Sequence, residues 1–223
     1  TTGSYNVALG NSALYSNTTT QGSSAVGYQA LYSNTASYNT GMGYQALYSN
    51  TSGTKGAAFG VQALYSNTTG SYNVAVGQES LFSNTTASNN TAVGYQAGYS
   101  NTTGSSIDAF GAYALQANTT GGNNAALSRY ALNANTTGSS NTAAGSAAMA
   151  SNTTGSFNVG IGQQALWGNT TASNNTAVGH QSLYTNTTGS ENTAVGMQSM
   201  RQNTTGYQNT STGRVAMYSN TTG

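Results

Sequence analysis

One phrase of 17 residues, repeated thirteen times, makes up this sequence. Its average form is N-T-A-V-G-Y-Q-A-L-Y-S-N-T-T-G-S-Y, and we number its positions as slots 1 to 17. Successive copies start 17 residues apart, with one interval of 16, at Asn6, Ser23, Asn39, Gly56, Asn73, Asn90, Ile107, Asn124, Asn141, Asn158, Asn175, Asn192 and Asn209. A unit this short holds too few apolar residues to fold alone, so its neighbours must stack on it.

The repeat predicts an all-β fold, a parallel β-solenoid of 17-residue coils with about two short strands and two turns in each coil. We interpret residues 1–223 as a single uninterrupted array, because no other type of segment separates the copies. The sequence begins and ends in the same loop of the repeat, and neither end shows the atypical capping unit that solenoids use. We therefore expect a fragment of a longer array.

Two apolar rows along the repeat suggest where the core of the coil lies. Slot 4 is apolar in every unit except at Thr212, and slot 9 is Leu or Met except at Gly98, so these two rows are the expected core. Alternation along a strand would then turn slots 2 and 4 inward and slots 3 and 5 outward. Slot 3 is always small and slot 5 is Gly except at Ser128. These small residues predict either a close contact with another chain or tight corners of the coil.

Slots 12 and 13 read Asn-Thr in all thirteen units. One interpretation is structural, because Asn favours turns and stacked Asn side chains can hydrogen-bond from coil to coil. The other is N-glycosylation, since Asn-X-Ser/Thr is the acceptor motif. Asn34 does not fit that motif because Ala36 follows at the third position, and the strict Thr of slot 13 favours the turn. The candidate residues for a turn ladder or for glycosylation are Asn17, Asn50, Asn67, Asn84, Asn101, Asn118, Asn135, Asn152, Asn169, Asn186, Asn203 and Asn220.

Slot 10 is aromatic in nine units, which predicts a ladder of rings spaced by the distance between coils. A stripe of this kind could instead bind sugars, although it lapses at Gln116, Asn133, Ala150 and Arg201. The residues of this row are Tyr15, Tyr32, Tyr48, Tyr65, Phe82, Tyr99, Trp167, Tyr184 and Tyr218.

Charge and composition argue against several kinds of function. Charged residues make up 3% of the chain and the formal net charge is +1, so nothing favours nucleic acid or an anionic membrane. There is no Cys, and no run of about 18 apolar residues that could insert into a membrane. The ionisable side chains are scattered along the array, and only His180 and Glu191 share a unit, at slots 6 and 17. This scatter predicts no catalytic, cofactor or metal site and a protein that is not an enzyme; the residues are Lys55, Glu79, Asp108, Arg129, His180, Glu191, Arg201 and Arg214.

The segments at residues 90–97 and 175–182, which read N-T-A-V-G-Y-Q-A and N-T-A-V-G-H-Q-S, carry a family resemblance. The phrase resembles repeats of bacteriophage tail-fibre proteins, and its N-T-A-V-G core is similar to the S-V-A-I-G phrase of trimeric autotransporter adhesin heads, whose repeat is shorter. The resemblance covers essentially the whole chain. It implies a left-handed parallel β-roll, often trimeric, on an elongated fibre that contacts a host.

Repeat and resemblance together predict a structural segment of an extracellular fibre, at a cell surface or on a virion, that associates with further copies of itself. Two alternatives remain open at this point. The first is an adhesin shaft whose aromatic row binds cell-surface glycans, and the second is a surface fibril that carries sugars on the Asn row.

Overall fold

The computed structural model describes residues 2–223 and contains one parallel sheet of thirteen strands in chain order. Each strand has three residues and occupies slots 2 to 4 of its coil. The strands are β1 Val7–Leu9, β2 Ser24–Val26, β3 Thr40–Met42, β4 Ala57–Phe59, β5 Val74–Val76, β6 Thr91–Val93, β7 Asp108–Phe110, β8 Ala125–Leu127, β9 Thr142–Ala144, β10 Val159–Ile161, β11 Thr176–Val178, β12 Thr193–Val195 and β13 Thr210–Thr212. Equal slots pair in register, as where Val93 lies opposite Phe110. The predicted parallel β-solenoid is confirmed.

Each coil has one strand rather than the two expected from the sequence. The remainder of the coil bends through left-handed backbone conformations at slots 7, 9 and 17, for example at Gln96 (φ 52°), Leu115 (φ 51°) and Ser106 (φ 58°). Extended strands need strongly negative φ, so these residues end the strand geometry. The axial hydrogen bonds nevertheless continue around the coil, as from the Leu115 amide to the Ala131 carbonyl at 3.0 Å.

The interior of the solenoid is filled by slots 3, 8 and 9. Ala126, Ala131 and Leu132, which hold these slots in one coil, are completely buried. Slot 9 is therefore a core row as predicted, but slot 4 is not, since Leu127 in the same coil is 44% exposed. The predicted strand orientation was wrong, because slot 3 faces inward and slots 2 and 4 face outward.

The narrow interior explains this orientation. A Cβ placed on Gly41 in slot 3 would lie 3.1 Å from the carbonyl oxygen of Ala46, which belongs to slot 8 across the same coil. Such a gap admits a methyl group and nothing larger, so slot 3 must be small. The small residues of slot 3 thus pack within one chain, and the predicted contact with another chain at this row was wrong.

Slot 5 forms the corner that follows each strand. At Gly94 φ is +140°, and an added Cβ would lie 2.6 Å from the carbonyl carbon of Gly111 in the next coil. Both the backbone conformation and the crowding require glycine, so the tight-corner interpretation of this row is confirmed. Ser128, the one exception, does not have a positive φ.

Two departures from the repeat offset each other in the core. Gly98 stands where other coils have Leu or Met, and Ile107, in slot 1 of the next coil, stands where most have Asn. The Cδ1 atom of Ile107 lies 3.5 Å from the position that a Cβ on Gly98 would take, and Ile107 is completely buried. Ile107 therefore occupies space that the missing Leu side chain leaves.

We predict that Leu132→Ala lowers the free energy of unfolding by about 2–5 kcal/mol, because it leaves a cavity in a core that cannot collapse. Leu127→Ala removes the same atoms from the same coil but from a position that is exposed in the single chain, so at low protein concentration it should cost less than about 1 kcal/mol. Urea denaturation followed by circular dichroism measures both variants. Equal losses of stability would contradict the assignment of slot 9 to the interior and of slot 4 to the surface.

Candidate functional site

The Asn side chains of slot 12 form a continuous hydrogen-bonded ladder inside the solenoid. The Nδ2 group of Asn118 donates to Oδ1 of Asn101 at 2.8 Å and to the carbonyl of Gly121 at 2.9 Å. Its own Oδ1 accepts from Nδ2 of Asn135 at 2.8 Å. The same pattern links each coil to the previous one from Asn34 to Asn220.

A second Asn ladder, at slot 1, was missed by the sequence analysis. Oδ1 of Asn141 accepts the backbone amide of Asn158 at 3.0 Å, and Nδ2 of Asn158 donates to the carbonyl of Ala172 at 2.8 Å. The available signal was that slot 1 is Asn in ten of the thirteen units. The slot 1 Asn was treated only as the first residue of each unit, so its burial was not predicted from the sequence.

The two ladders meet at the slot 15 carbonyl, which closes the Asn-Thr-Thr-Gly turn. The carbonyl oxygen of Gly155 accepts from Asn152 at 3.0 Å and from Asn141 at 2.8 Å. Among residues 2–223, no buried side-chain nitrogen or oxygen lacks a hydrogen-bond partner. The amides of the slot 12 row all point the same way along the axis, so each bond polarises the next and strengthens it.

The buried ladder leaves no place for a sugar on the slot 12 side chains of the folded coil between Asn34 and Asn203. The slot 12 side chains from Asn34 to Asn203 are at most 1% exposed, and those of Asn17 and Asn220 at the two ends are partly buried. An N-linked glycan replaces a hydrogen on Nδ2, yet in the interior of the ladder both hydrogens are engaged. The turn ladder is therefore the interpretation that agrees with this structure, and glycosylation of the row would require the coil to open.

The short unit that starts at Ser23 shows which residue of this turn is dispensable. Nδ2 of Asn34 donates to the carbonyl of Ala36 at 2.7 Å, two residues ahead rather than three. Ala36 therefore occupies slot 15, and it is slot 14 that this unit lacks. The hydroxyl of slot 14 is not needed for the ladder.

The strict Thr of slot 13 also has a structural cause. The Thr119 hydroxyl donates to the carbonyl of Thr136 in the next coil at 3.0 Å, beside the backbone bond between the same two residues at 2.9 Å. The bond accounts for a hydroxyl at slot 13, which either Thr or Ser would supply.

The Gln residues of slot 7 form a comparable surface ladder, as from Nε2 of Gln62 to Oε1 of Gln45 at 3.0 Å.

The aromatic row of slot 10 stacks as predicted. Ring centroids from Tyr15 to Tyr99 lie 4.9 to 5.2 Å apart with planes within 10° of parallel. Trp167 stacks on Tyr184 at 5.2 Å, and the Arg201 guanidinium then lies 4.9 Å from the Tyr184 ring and 5.8 Å from the Tyr218 ring. Most ring faces of this row are thus covered by the next ring, whereas stacking on a sugar needs a free face.

The titratable groups stay dispersed in the folded chain. His180 is exposed, and residues 2–223 bring no three His, Cys, Asp or Glu side chains together at one point. The surface of the same residues contains no pocket. The pKa of the Tyr113 hydroxyl lies above its ordinary value because of desolvation and of the neighbouring Tyr95 and Tyr130. In the described part of the chain, no helix has the length and apolar character needed to cross a membrane.

Comparison of the chain with family models, with curated proteins and with solved structures finds no match. Its function is therefore inferred from the chemistry and geometry of its own coils. What those coils provide is a repeated axial contact rather than a single assembled site.

We predict that Asn152→Asp lowers the free energy of unfolding by about 3–5 kcal/mol at neutral pH. The carboxylate has no hydrogen to donate to Asn135 or to the Gly155 carbonyl, and it would be charged in a buried position. Burial raises the folded-state pKa of this carboxyl above its unfolded value, so the folded state binds the proton more tightly. Stability of the variant should therefore be higher at pH 4 than at pH 7, as measured by urea denaturation at both values.

The matched control is Asn174→Asp, which makes the same change at an exposed position of slot 17. It should change the free energy of unfolding by no more than about 0.5 kcal/mol, with little dependence on pH. A similar loss of unfolding free energy in both variants would contradict the assignment of the slot 12 side chains to a buried, hydrogen-bonded ladder.

Proposed function

We propose that this chain is a structural segment of an elongated fibre displayed outside the cell or on a virion. The observation that carries the proposal is the uninterrupted set of axial hydrogen bonds that joins every coil to the next. No coil is specialised relative to its neighbours in the way that an active site requires, and the same contacts recur over the whole described length. A molecule of this kind acts through its length and its surface.

The direction of the bonds suits a load-bearing rod. Backbone hydrogen bonds, such as that from the Asp108 amide to the Asn124 carbonyl at 2.8 Å, join successive coils along the axis. The Asn ladders add side-chain bonds between the same coils, inside the rod and away from water. Solenoid stability is a sum of such nearest-neighbour contacts, so added coils lengthen the rod and add stability without a new fold.

The composition of the surface also supports an exposed location. Slots 13, 14 and 16 present mainly Thr and Ser, and the chain has 3% charged residues and no Cys. Such a surface is hydrated and nearly neutral, and its stability does not depend on the redox state of the surroundings. These properties are compatible with a fibre in an extracellular medium.

Antibody labelling of intact cells and particles from the source tests the location. If the proposal holds, gold-labelled antibodies raised against the folded chain mark thin fibres on unpermeabilised samples in electron micrographs. Diffraction from isolated fibres should also show an axial repeat of about 4.8 Å. Labelling that appears only after permeabilisation, with no fibres outside, would overturn the proposal.

An adhesin function is the second candidate, because Trp167 keeps one ring face without an aromatic neighbour. The previous coil has Ala150 in the same slot, and Trp167 is 38% exposed. The face of an exposed Trp is a suitable platform for the apolar side of a sugar ring.

Replacing this pair of rings separates the two candidates. A purely structural segment predicts that the double change Trp167→Ala and Tyr184→Ala leaves attachment to host cells unchanged while the fibre stays intact. Tyr48→Ala is the control, since Tyr48 has rings stacked on both faces. Loss of attachment in the double variant but not in the control would establish glycan binding at Trp167 and favour the adhesin.

A further inference from the structure

The outward side chains of β1–β13 form one continuous surface, which we call the outer sheet face and which consists of slots 2 and 4. Its slot 4 row is apolar in twelve of the thirteen coils. Val76, Phe110 and Ile161 in that row are 37%, 41% and 42% exposed. The slot 2 row contains Thr, Val, Ala and Ser, and Asp108 is its one charged residue.

A parallel sheet with an uncovered apolar face is unusual. Parallel sheets in proteins are generally covered on both faces, and monomers rarely expose apolar patches larger than a few hundred Å². Thirteen strands about 4.8 Å apart, each with three residues of about 3.3 Å, give a face of roughly 60 by 10 Å. That is about 600 Å² before surface relief is counted, close to the roughly 800 Å² that each partner buries in a standard stable interface.

Rings along both margins of the strands enlarge this face. Tyr28 and Tyr44 in slot 6 are 45% and 47% exposed, while Tyr38 and Tyr72 in slot 17 are 52% and 53% exposed. Most of the large exposed apolar side chains of the molecule lie in slots 17, 2, 4 and 6. The Asn-Thr-Thr turn, outside the strand, carries Thr and Ser at slots 13 and 14 instead.

We infer that the outer sheet face pairs with the same face of a second copy of this chain. A partner that covers the whole row must present apolar groups about 4.8 Å apart over roughly 60 Å, and a second copy does so. The near absence of charge on the face gives no basis for recognising an acidic or basic partner. Two such faces would pack about 10 Å apart, as sheets do in a sandwich, with the same residues on both sides of the interface.

This inference goes beyond the fibre proposal, since it concerns the chain itself wherever the fibre is displayed. The sequence suggested a contact with another chain at slots 3 and 5. Because slot 3 is buried and slot 5 is crowded by the next coil, the contact surface is assigned to slots 2 and 4 instead. Failure of the antibody experiment would leave the pairing unaffected, and failure of the pairing would leave the location of the fibre unaffected.

Charge introduced on the face should separate the copies. The face variant carries one glutamate in each of three coils: Val76→Glu, Phe110→Glu and Ile161→Glu. Sedimentation equilibrium over a range of concentrations is expected to show association of the unchanged chain and at least tenfold weaker association of this variant. All three side chains point outward, so circular dichroism should show that the solenoid is retained.

The matched control places the same charges in the same coils but outside the sheet face, at exposed slot 14 positions of the turn: Thr86→Glu, Thr120→Glu and Thr171→Glu. It should associate like the unchanged chain. An unchanged chain that stays monomeric at about 100 µM would overturn the inference. Association that survives in the face variant, or that is lost equally in the control, would also overturn it.

A second measurement does not depend on the folding of the triple variant. Because the chain has no Cys, a single thiol can be placed by Val76→Cys on the face or by Thr86→Cys in the turn outside the face. The alkylation rate of the first thiol should fall as protein concentration rises, whereas that of the second should stay constant. Equal behaviour of the two thiols would contradict pairing through this face.

Discussion

A buried asparagine side chain needs two acceptors and at least one donor, and in this molecule the identical side chain one coil away supplies much of that need. The slot 12 amides bond to one another and to the slot 15 carbonyl, so each coil is satisfied only when its neighbours are present. Leaving such a group unpaired costs about 1–3 kcal/mol, which is large for a coil that buries one Leu and a few methyl groups. The polar ladders therefore fix the register between successive coils, while burial of the apolar core contributes non-directional stability.

The width of the coil is set by residues with left-handed backbone, and their residue types do not predict this conformation. Left-handed backbone at slots 7, 9 and 17 folds 17 residues around an interior only one Leu wide. Non-glycine residues in this region cost about 1 kcal/mol or more each, so neighbouring coils must hold them in place. Gln96 and Leu115 are not residues that signal turns, and for this reason the sequence predicted a second strand where the chain bends instead.

The period, the parallel register, the slot 9 core, the corner glycines and the stacked rings all followed from the sequence, because each depends on identity between coils. The orientation of the strand did not. Alternation along a strand distinguishes two faces but does not say which is inside, and a row of large apolar residues in slot 4 was a reasonable candidate for the core. The interior turned out to be too narrow for Phe110 or Leu127 and wide enough for Ala109 and Ala126. The slot 1 ladder was not predicted either. Asn is rarely a core residue unless a neighbouring side chain satisfies its hydrogen bonds, so its burial could not be read from residue type.

This inversion, with small residues inside and large apolar residues outside, links the coil to its proposed assembly. Differences between coils show which contacts the fold can lose or form at another slot. Between Tyr99 and Trp167 the rings of slot 10 lapse, and Tyr113 and Tyr130 stack in slot 7 instead, 5.0 Å apart. The Asn of slot 12 is kept in those coils, and so is an apolar residue at slot 4. Ring stacking can therefore move between facets, whereas the internal ladder and the outward apolar row persist, as expected if the first joins coils within a chain and the second joins chains.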